Sequence, residues 1–171
     1  MLYAVAVLKA LSCLSVETHV VVSKMGAYNL KHECDMSLSE VRAMATCWYE
    51  NDDLAAAIAS GSFKTDGMII IPCSMNSLGA IANGLSNNLI HRAADVVLKE
   101  GRKLVIVPRE MPFNTIHLEN MLKLSKMGVT VMAAAPGFYH KPQTIEDLAG
   151  IMAGRILDQF DIESELFERW Q

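Results

Sequence analysis

Met68-Ile69-Ile70-Ile71-Pro72-Cys73-Ser74-Met75-Asn76-Ser77-Leu78-Gly79-Ala80-Ile81-Ala82 is the stretch on which the fold of this chain turns. Four apolar residues in succession, Met68 to Ile71, predict a strand covered on both faces, as strands of parallel sheets are when helices flank them. Pro72 to Ser77 predicts a polar loop at the carboxyl end of that strand, and Leu78 to Ala82 a helix. The same unit recurs further along. Leu89 to Glu100 reads as a helix, Lys103 to Val107 as a buried strand, and Pro108-Arg109-Glu110-Met111-Pro112 as the loop at its end. Thr115 to Met127 reads as a helix, Val129 to Ala134 as a strand, and Thr144 to Phe160 as a long helix opened by a Thr144/Asp147 capping box. Strands alternating with helices predict an α/β fold, a parallel sheet flanked by helices with right-handed crossovers. Ligands on such sheets lie beyond the carboxyl ends of the strands, where both polar loops fall.

Toward the N-terminus, Leu2 to Leu14 predicts an amphipathic helix ending near Ser12 to Ser15; Lys9 inside the apolar stretch argues against a signal peptide. Glu17 to Ser23, with its β-branched run, predicts a strand. Gly26 to Lys31 begins a second helix, and Ser37 with Glu40 has capping-box spacing for a segment running toward Cys47. Trp48, Tyr49 and Asn51 interrupt that pattern. Asp52 to Ala59 reads as a short Ala-rich helix, and Ser60 to Gly67 as a turn. The charged tail from Glu163 to Gln171 carries Phe167 and Trp170, and reads either as an arm packed on a neighbouring subunit or as a frayed end.

A chain of 171 residues with 51% hydrophobic content and a mass of 18.8 kDa is read as one domain by default. Fifteen Lys and Arg against 19 Asp and Glu give a net charge of -4, which supplies no basic field for nucleic acid or an anionic membrane surface. No apolar run approaches the roughly 20 residues that cross a bilayer. Cys13, Cys34, Cys47 and Cys73 are irregularly spaced, which fits a reducing cytoplasm, and the five histidines form no compact ligand set, so no dedicated metal site is expected. The 11 Met residues are read as packing groups. The chain has no Walker loop, complete GxGxxG or GxSxG elbow.

Several residues invite chemistry, each beside a plainer reading. Ser74, Asn76 and Ser77 offer hydroxyls and helix-start N–H groups to a phosphate or to the polar edge of a flavin, or merely cap a helix. Arg109 and Glu110, between two prolines after a strand, are functional or form a salt bridge. Arg92, Asp95 and Lys99 share a helix face, as an ion-pair network or an anion site between subunits. Tyr139, beside His140, either stacks on a planar ligand or reaches a phosphate, or plugs a gap. Arg155 interrupts an apolar helix face unless paired or snorkelling. Cys73 beside Ser74 suggests a nucleophile, yet no histidine lies near it in sequence.

Taken together, IASGSFKTDGMIIIPCSM, NLIHRAADVVLKEGRKLVIVPREMP, IHLENMLKLSKMGV and PGFYHKPQTIEDL resemble the UbiX-like flavin prenyltransferases, with RWQ similar to the branch found as small subunits of hydroxyarylic acid decarboxylases. The resemblance spans Leu2 to Phe160 and implies a Rossmann-like flavoprotein in residues 1–160, with residues 161–171 as a C-terminal tail. It implies transfer of a dimethylallyl group from dimethylallyl phosphate to reduced FMN without a metal, making prenylated FMN for a UbiD-type aromatic acid decarboxylase. It further implies a homo-oligomer, commonly a dodecamer, whose sites are completed by adjacent subunits. By the same resemblance Ser23, Ser74, Met75, Asn76 and Ser77 contact FMN, and Arg109 holds its phosphate or flanking groups. Arg92 belongs to a matching segment, while Lys99, Glu110, Tyr139 and Arg155 surround the prenyl phosphate. Glu110 is the candidate for proton transfer, with phosphate as a relay, or alternatively fixes a neighbouring cation.

The chain also departs from the family pattern. Relatives begin with a strand and a GxSG or GxTG loop, whereas this sequence opens at about the start of helix one, so the first strand is expected to be missing from the sheet. Asn76 stands where a Lys is common, and Ala133-Ala134-Ala135-Pro136-Gly137 is less proline-rich than its counterpart. A non-enzymatic flavin-binding or assembly subunit is the alternative reading.

Overall fold

A computed structural model describes residues 1–169; Trp170 and Gln171, the end of the expected tail and of its RWQ motif, lie outside the described residues. Along the chain run α1 (Leu2–Cys13), β1 (His19–Val21), α2 (Lys24–Cys34), α3 (Leu38–Arg42), β2 (Cys47–Tyr49), β3 (Gly67–Cys73), α4 (Met75–Ala82), α5 (Leu89–Lys99), β4 (Lys103–Pro108), α6 (Thr115–Lys126), β5 (Thr130–Val131) and α7 (Ile145–Asp158). Two compact units result, Met1–Trp48 with Ala135–Gln171, and Tyr49–Ala134.

The unit Tyr49–Ala134 is built on a parallel sheet ordered β3-β4-β5. Ile69 and Ile70 pair with Val105 and Ile106, which pair in turn with Thr130 and Val131. β4 is central, and Leu104, Val105, Ile106 and Val107 are all within 1% of full burial, which explains the unbroken apolar run LVIV. A core of Ile70, Leu78, Ile81, Leu104, Ile106 and Leu124 joins the sheet to its helices. Gly101 and Gly128, at φ 65° and 88°, take the left-handed conformation that ends α5 and α6 just before their strands, a conformation that a Cβ would strain.

In the other unit α1 packs along α7. α1 turns Val5, Val7, Leu8 and Ala10 inward, and α7 buries Ile151, Met152, Ala153, Ile156 and Leu157. Leu30 and Val41 join Val5 and Leu8 in a second cluster against Val20, Met44 and Trp48. The tail residue Phe167 lies against α7 where Gly154 has no side chain: a Cβ there would meet the Phe167 ring.

The capping boxes at Ser37/Glu40 and Thr144/Asp147 are both formed. Other expectations are revised. Asp52 to Ala59 is no helix beyond a short 3-10 turn at Ala57–Ala59; Asp53 Oδ1 instead accepts the Ala55 N–H at 3.1 Å, a local bond that competes with the helical pattern. Cys47–Tyr49, of which Trp48 and Tyr49 are read from sequence as an interruption, forms β2 beside β1, with the Cys47 N–H donating to the Thr18 carbonyl at 2.8 Å. The strand expected over Val129 to Ala134 shrinks to Thr130–Val131. The described strands make two sheets, β1-β2 and β3-β4-β5, and β3 is an end strand. Met68, Ile69 and Ile71 are accordingly only part-buried. Among the described residues no helix is long and apolar enough to cross a membrane.

Candidate functional site

Parallel strands finish at the same end of their sheet, so the loops after β3 and β4 emerge together. Cys73 pairs with Pro108 across an irregularity that follows Ile70, and the Arg109 N–H donates to the Cys73 carbonyl at 3.3 Å. This places Ser74, Met75, Asn76 and Ser77 beside Arg109 and Glu110. Ser74 caps α4: its Oγ accepts the Ser77 N–H at 3.2 Å, which leaves the N–H groups of Met75 and Asn76, in the first helical turn, without an acceptor inside the helix. These donors at the positive end of a helix favour an anion or an electron-rich ring edge.

His91 supports that loop from behind. It is 4% exposed, and its Nε2 lies 3.2 Å from Ser77 Oγ. Its Nδ1 is buried with no hydrogen-bond partner among the described residues. Burial holds the imidazole below its ordinary pKa, so the neutral ring prevails. An orphaned N–H is rarer than an under-satisfied acceptor, which assigns the proton to Nε2, donating to Ser77. Ser77 Oγ also accepts from the Ser74 hydroxyl at 3.3 Å. With both of those directions taken by donors, the Ser77 proton is left for a ligand.

Beside this loop opens a cavity of about 590 Å³ lined by Met75, Asn76, Gly79, Asn83, Asn88, His91, Asn114 and Asn120 among others. It is an open groove, and it combines apolar side chains with a few oriented amides. Helix-start N–H groups, the Ser77 hydroxyl and carboxamides are donors that fit the polar edge of a flavin. Asn76 contributes hydrogen bonding there but no charge.

The other expected residues are dispersed. Arg92 donates from Nε to the Ala59 carbonyl at 3.1 Å and lies 3.5 Å from Asp95. Lys99 pairs with Glu100 at 3.2 Å. Lys99 ends the helix that leads into the amino end of β4, whereas Arg109 follows its carboxyl end. Six strand residues separate the two ends by roughly 17 Å, so one copy does not bring Lys99 to the loop of Arg109. The Glu110 side chain accepts the Met111 N–H at 3.1 Å.

In the unit formed by both chain ends, Ser23 caps α2, its Oγ accepting the Gly26 N–H at 3.0 Å. Tyr139 is 60% exposed, with its ring 4.2 Å from that of His140. Arg155 is paired, donating to Asp158 Oδ2 at 2.9 Å. Arg169 grips the same carboxylate at 2.8 and 3.3 Å, and chiefly through this hydrogen bonding it holds Asp158 below its ordinary pKa. The nucleophile reading of Cys73 is not supported: its thiol is fully buried, and burial pushes its pKa up to about 12, so the thiolate is not populated near neutrality.

Two contributors were not singled out from sequence. His91 reaches Ser77 across 14 residues, and only its place in the first turn of α5, three residues after the Asn88 cap, hinted at a structural role. Arg102 donates to the carbonyls of Gly61 and Phe63, both at 2.7 Å, fixing the turn beside Lys99 and Glu100.

The Flavoprotein family model matches residues 1–165. The chain is 50% identical to the flavin prenyltransferase UbiX of Methanocaldococcus jannaschii over 90% of its own length and 84% of the relative's. It superposes with a TM-score of 0.97 on a dodecameric FMN-dependent UbiX-like decarboxylase from Escherichia coli O157:H7, at 51% identity and covering 99% of this chain and 92% of that one. The TM-score is also 0.97 with AnUbiX (PadA1) in complex with FMN and dimethylallyl pyrophosphate, at 47% identity and covering 99% and 90% of the two chains. Sequence and fold together make this chain a member of the UbiX-like flavin prenyltransferases.

Proposed function

We propose that this protein transfers a dimethylallyl group from dimethylallyl phosphate to reduced FMN, and that the prenylated flavin passes to a UbiD-type aromatic acid decarboxylase in the cytoplasm. The carrying observation is the meeting of the Ser74–Ser77 loop with Arg109 and Glu110 at the carboxyl ends of β3 and β4. Ser74, Met75, Asn76 and Ser77 hold the flavin edge through the donors already described, and Arg109 presents a planar fork to phosphate oxygens. Reduced FMN supplies an electron-rich ring as the acceptor of the allylic carbon. The protein's part is to orient the allylic carbon, exclude water and stabilise the phosphate that leaves with the electron pair of its C–O bond.

In this reading Ser23 is a further flavin contact, and Tyr139, Arg155 and Arg92 serve the prenyl phosphate. Lys99 joins them from a neighbouring copy, because its own chain holds it at the far end of β4. This requires self-association, which fits the dodecameric relative. Exposed apolar side chains on the loop before α6 and on α6, among them Met111, Ile116, Leu118 and Leu122, offer surface for it. Glu110 moves the proton released when the second ring bond forms. The reading is tested by incubating the purified protein with reduced FMN and dimethylallyl phosphate under anaerobic conditions. Mass spectrometry is expected to show the flavin heavier by one isoprene unit; unchanged flavin in the presence of FMN-loaded protein rejects the activity.

A further inference from the structure

Three ligand-bearing side chains, none of them assigned to the flavin site, meet at the start of the β1-β2 ribbon: Glu17, His19 and Cys47. One oxygen, nitrogen or sulfur from each lies within 4.8 Å of the other two, and His19 Nε2 is 3.0 Å from Glu17 Oε1. We propose that these residues form a binding site for a borderline-soft divalent cation of the zinc class.

The donor set supports this ion class. A thiolate, an imidazole and a carboxylate are the three ligand types that zinc accepts, with bond lengths of about 2.3, 2.0 and 2.1 Å. A tetrahedron with those bonds has N–O and S–N edges of roughly 3.3 and 3.5 Å. The 3.0 Å between His19 and Glu17 is already close to the first edge. Sulfur, at no more than 4.8 Å from either, needs a closure of about 1 Å, within reach of side-chain rotation. A hard cation such as magnesium, which seeks six oxygens, finds one carboxylate here.

The platform is prepared by the backbone. Glu17 stands two residues before His19, the first residue of β1, and their side chains meet at 3.0 Å. Cys47 is fixed opposite them by its N–H bond to the Thr18 carbonyl at 2.8 Å. Thr18 and Thr46 lock the two segments reciprocally, each hydroxyl accepting the other's N–H at 3.1 Å. The charge also balances: neutral His19, the Glu17 carboxylate and a Cys47 thiol deprotonated by the metal sum to two negative charges against the cation. One proton leaves the thiol as its sulfur–metal bond forms, and no electron moves. His19 is largely covered at 14% side-chain exposure, whereas Glu17 at 69% leaves an open side through which water can complete the fourth position.

The test uses the full-length, reduced, metal-free protein and Co²⁺ as a spectroscopic probe. A 1:1 titration is expected to produce a near-ultraviolet thiolate-to-cobalt band and visible bands of tetrahedral intensity, both removed by Zn²⁺. Cys47→Ser is expected to abolish the thiolate band, His19→Ala to weaken Zn²⁺ binding at least tenfold, and Cys13→Ser to leave both unchanged. In the unmutated protein, Zn²⁺ should protect Cys47 from alkylation mapped by peptide mass spectrometry, a measurement independent of any variant's folding. Absence of the thiolate band, its survival in Cys47→Ser, or alkylation of Cys47 at the same rate with and without Zn²⁺ would overturn the proposal. Flavin binding is not part of the readout, so this result and that of the prenylation assay stand apart.

Discussion

Removing the Arg102 guanidinium should loosen the turn that borders Lys99. Arg102 donates to the Phe63 and Gly61 carbonyls, both at 2.7 Å, so Arg102→Ala deletes two charge-assisted bonds. Each is worth about 1.5–3 kcal/mol in general; both are part-buried, which places them at the low end, for a sum of about 3 kcal/mol. Water can rehydrate the two carbonyls once the side chain is gone, which reduces the expected loss to about 2 kcal/mol. For a chain of this length that corresponds to a fall in Tm of roughly 4–8 °C. Arg102→Lys, able to satisfy one carbonyl at a time, should fall between. Urea denaturation gives the stability change, and hydrogen exchange locates it: amides from Ser60 to Lys64 should exchange faster before any change reaches β4. A Gly61 Cβ would collide with the Glu100 carboxylate and press on Lys99, so release of the turn should also reach the Lys99–Glu100 pair. A variant within about 0.5 kcal/mol of the parent, with unchanged exchange at residues 60–64, would refute the clamp.

Ile106→Ala removes a fully buried side chain at the centre of the sheet and should cost about 2–5 kcal/mol, seen as a lower urea midpoint with an unchanged slope. Alkylation of the native, metal-free protein at pH 8 should label exposed Cys13 quickly and spare Cys73, whose thiol burial pushes to about 12; rapid native labelling of Cys73 would contradict its burial. Backbone N–H groups of Gln143 and Thr144 hold the Asp147 carboxyl below its ordinary pKa. Its stabilising effect is therefore complete above the unfolded carboxylate value near 3.9 and lost as pH falls through the lower folded value. Asp147→Asn should flatten that part of the acid-unfolding curve and leave stability at pH 7 to 9 without a new pH dependence. Glu110→Gln should lower the prenylation rate by 10²–10⁴ while FMN affinity stays within a few-fold, a separation that fluorescence titration and turnover would display; equal losses in both would reassign Glu110 to binding.

Much of the architecture could be read from periodicity because the decisive signals were local. LVIV had to be a two-sided strand, and Thr144 with Asp147 had to open a helix. What escaped was determined by partners distant in sequence. Cys47–Tyr49 is a strand because Thr18 supplies its backbone bond, and no three-residue window displays that. Asp52 to Ala59 has helical composition, yet the Asp53 carboxylate draws the Ala55 amide into a turn. The site was legible in the same measure. Ser74 and Arg109 follow strands whose ends must coincide in a parallel sheet. The bond from His91 to Ser77, by contrast, depends on how α5 packs against α4, and the gathering of Glu17, His19 and Cys47 depends on two strands finding each other.

Asp158 accepts from two arginines at once, Arg155 on its own helix and Arg169 from the tail, and its Oδ2 atom is shared between them. A shared acceptor makes the two donors competitors. While Arg169 holds its place, Arg155 has only part of that oxygen's attraction and is freer to leave it. If the tail peels away, Arg155 inherits the whole carboxylate and is tethered to its helix. Arg169 thereby acts as a counterweight to Arg155 across one carboxylate, and replacing it should change how willingly the Arg155 side chain lets go.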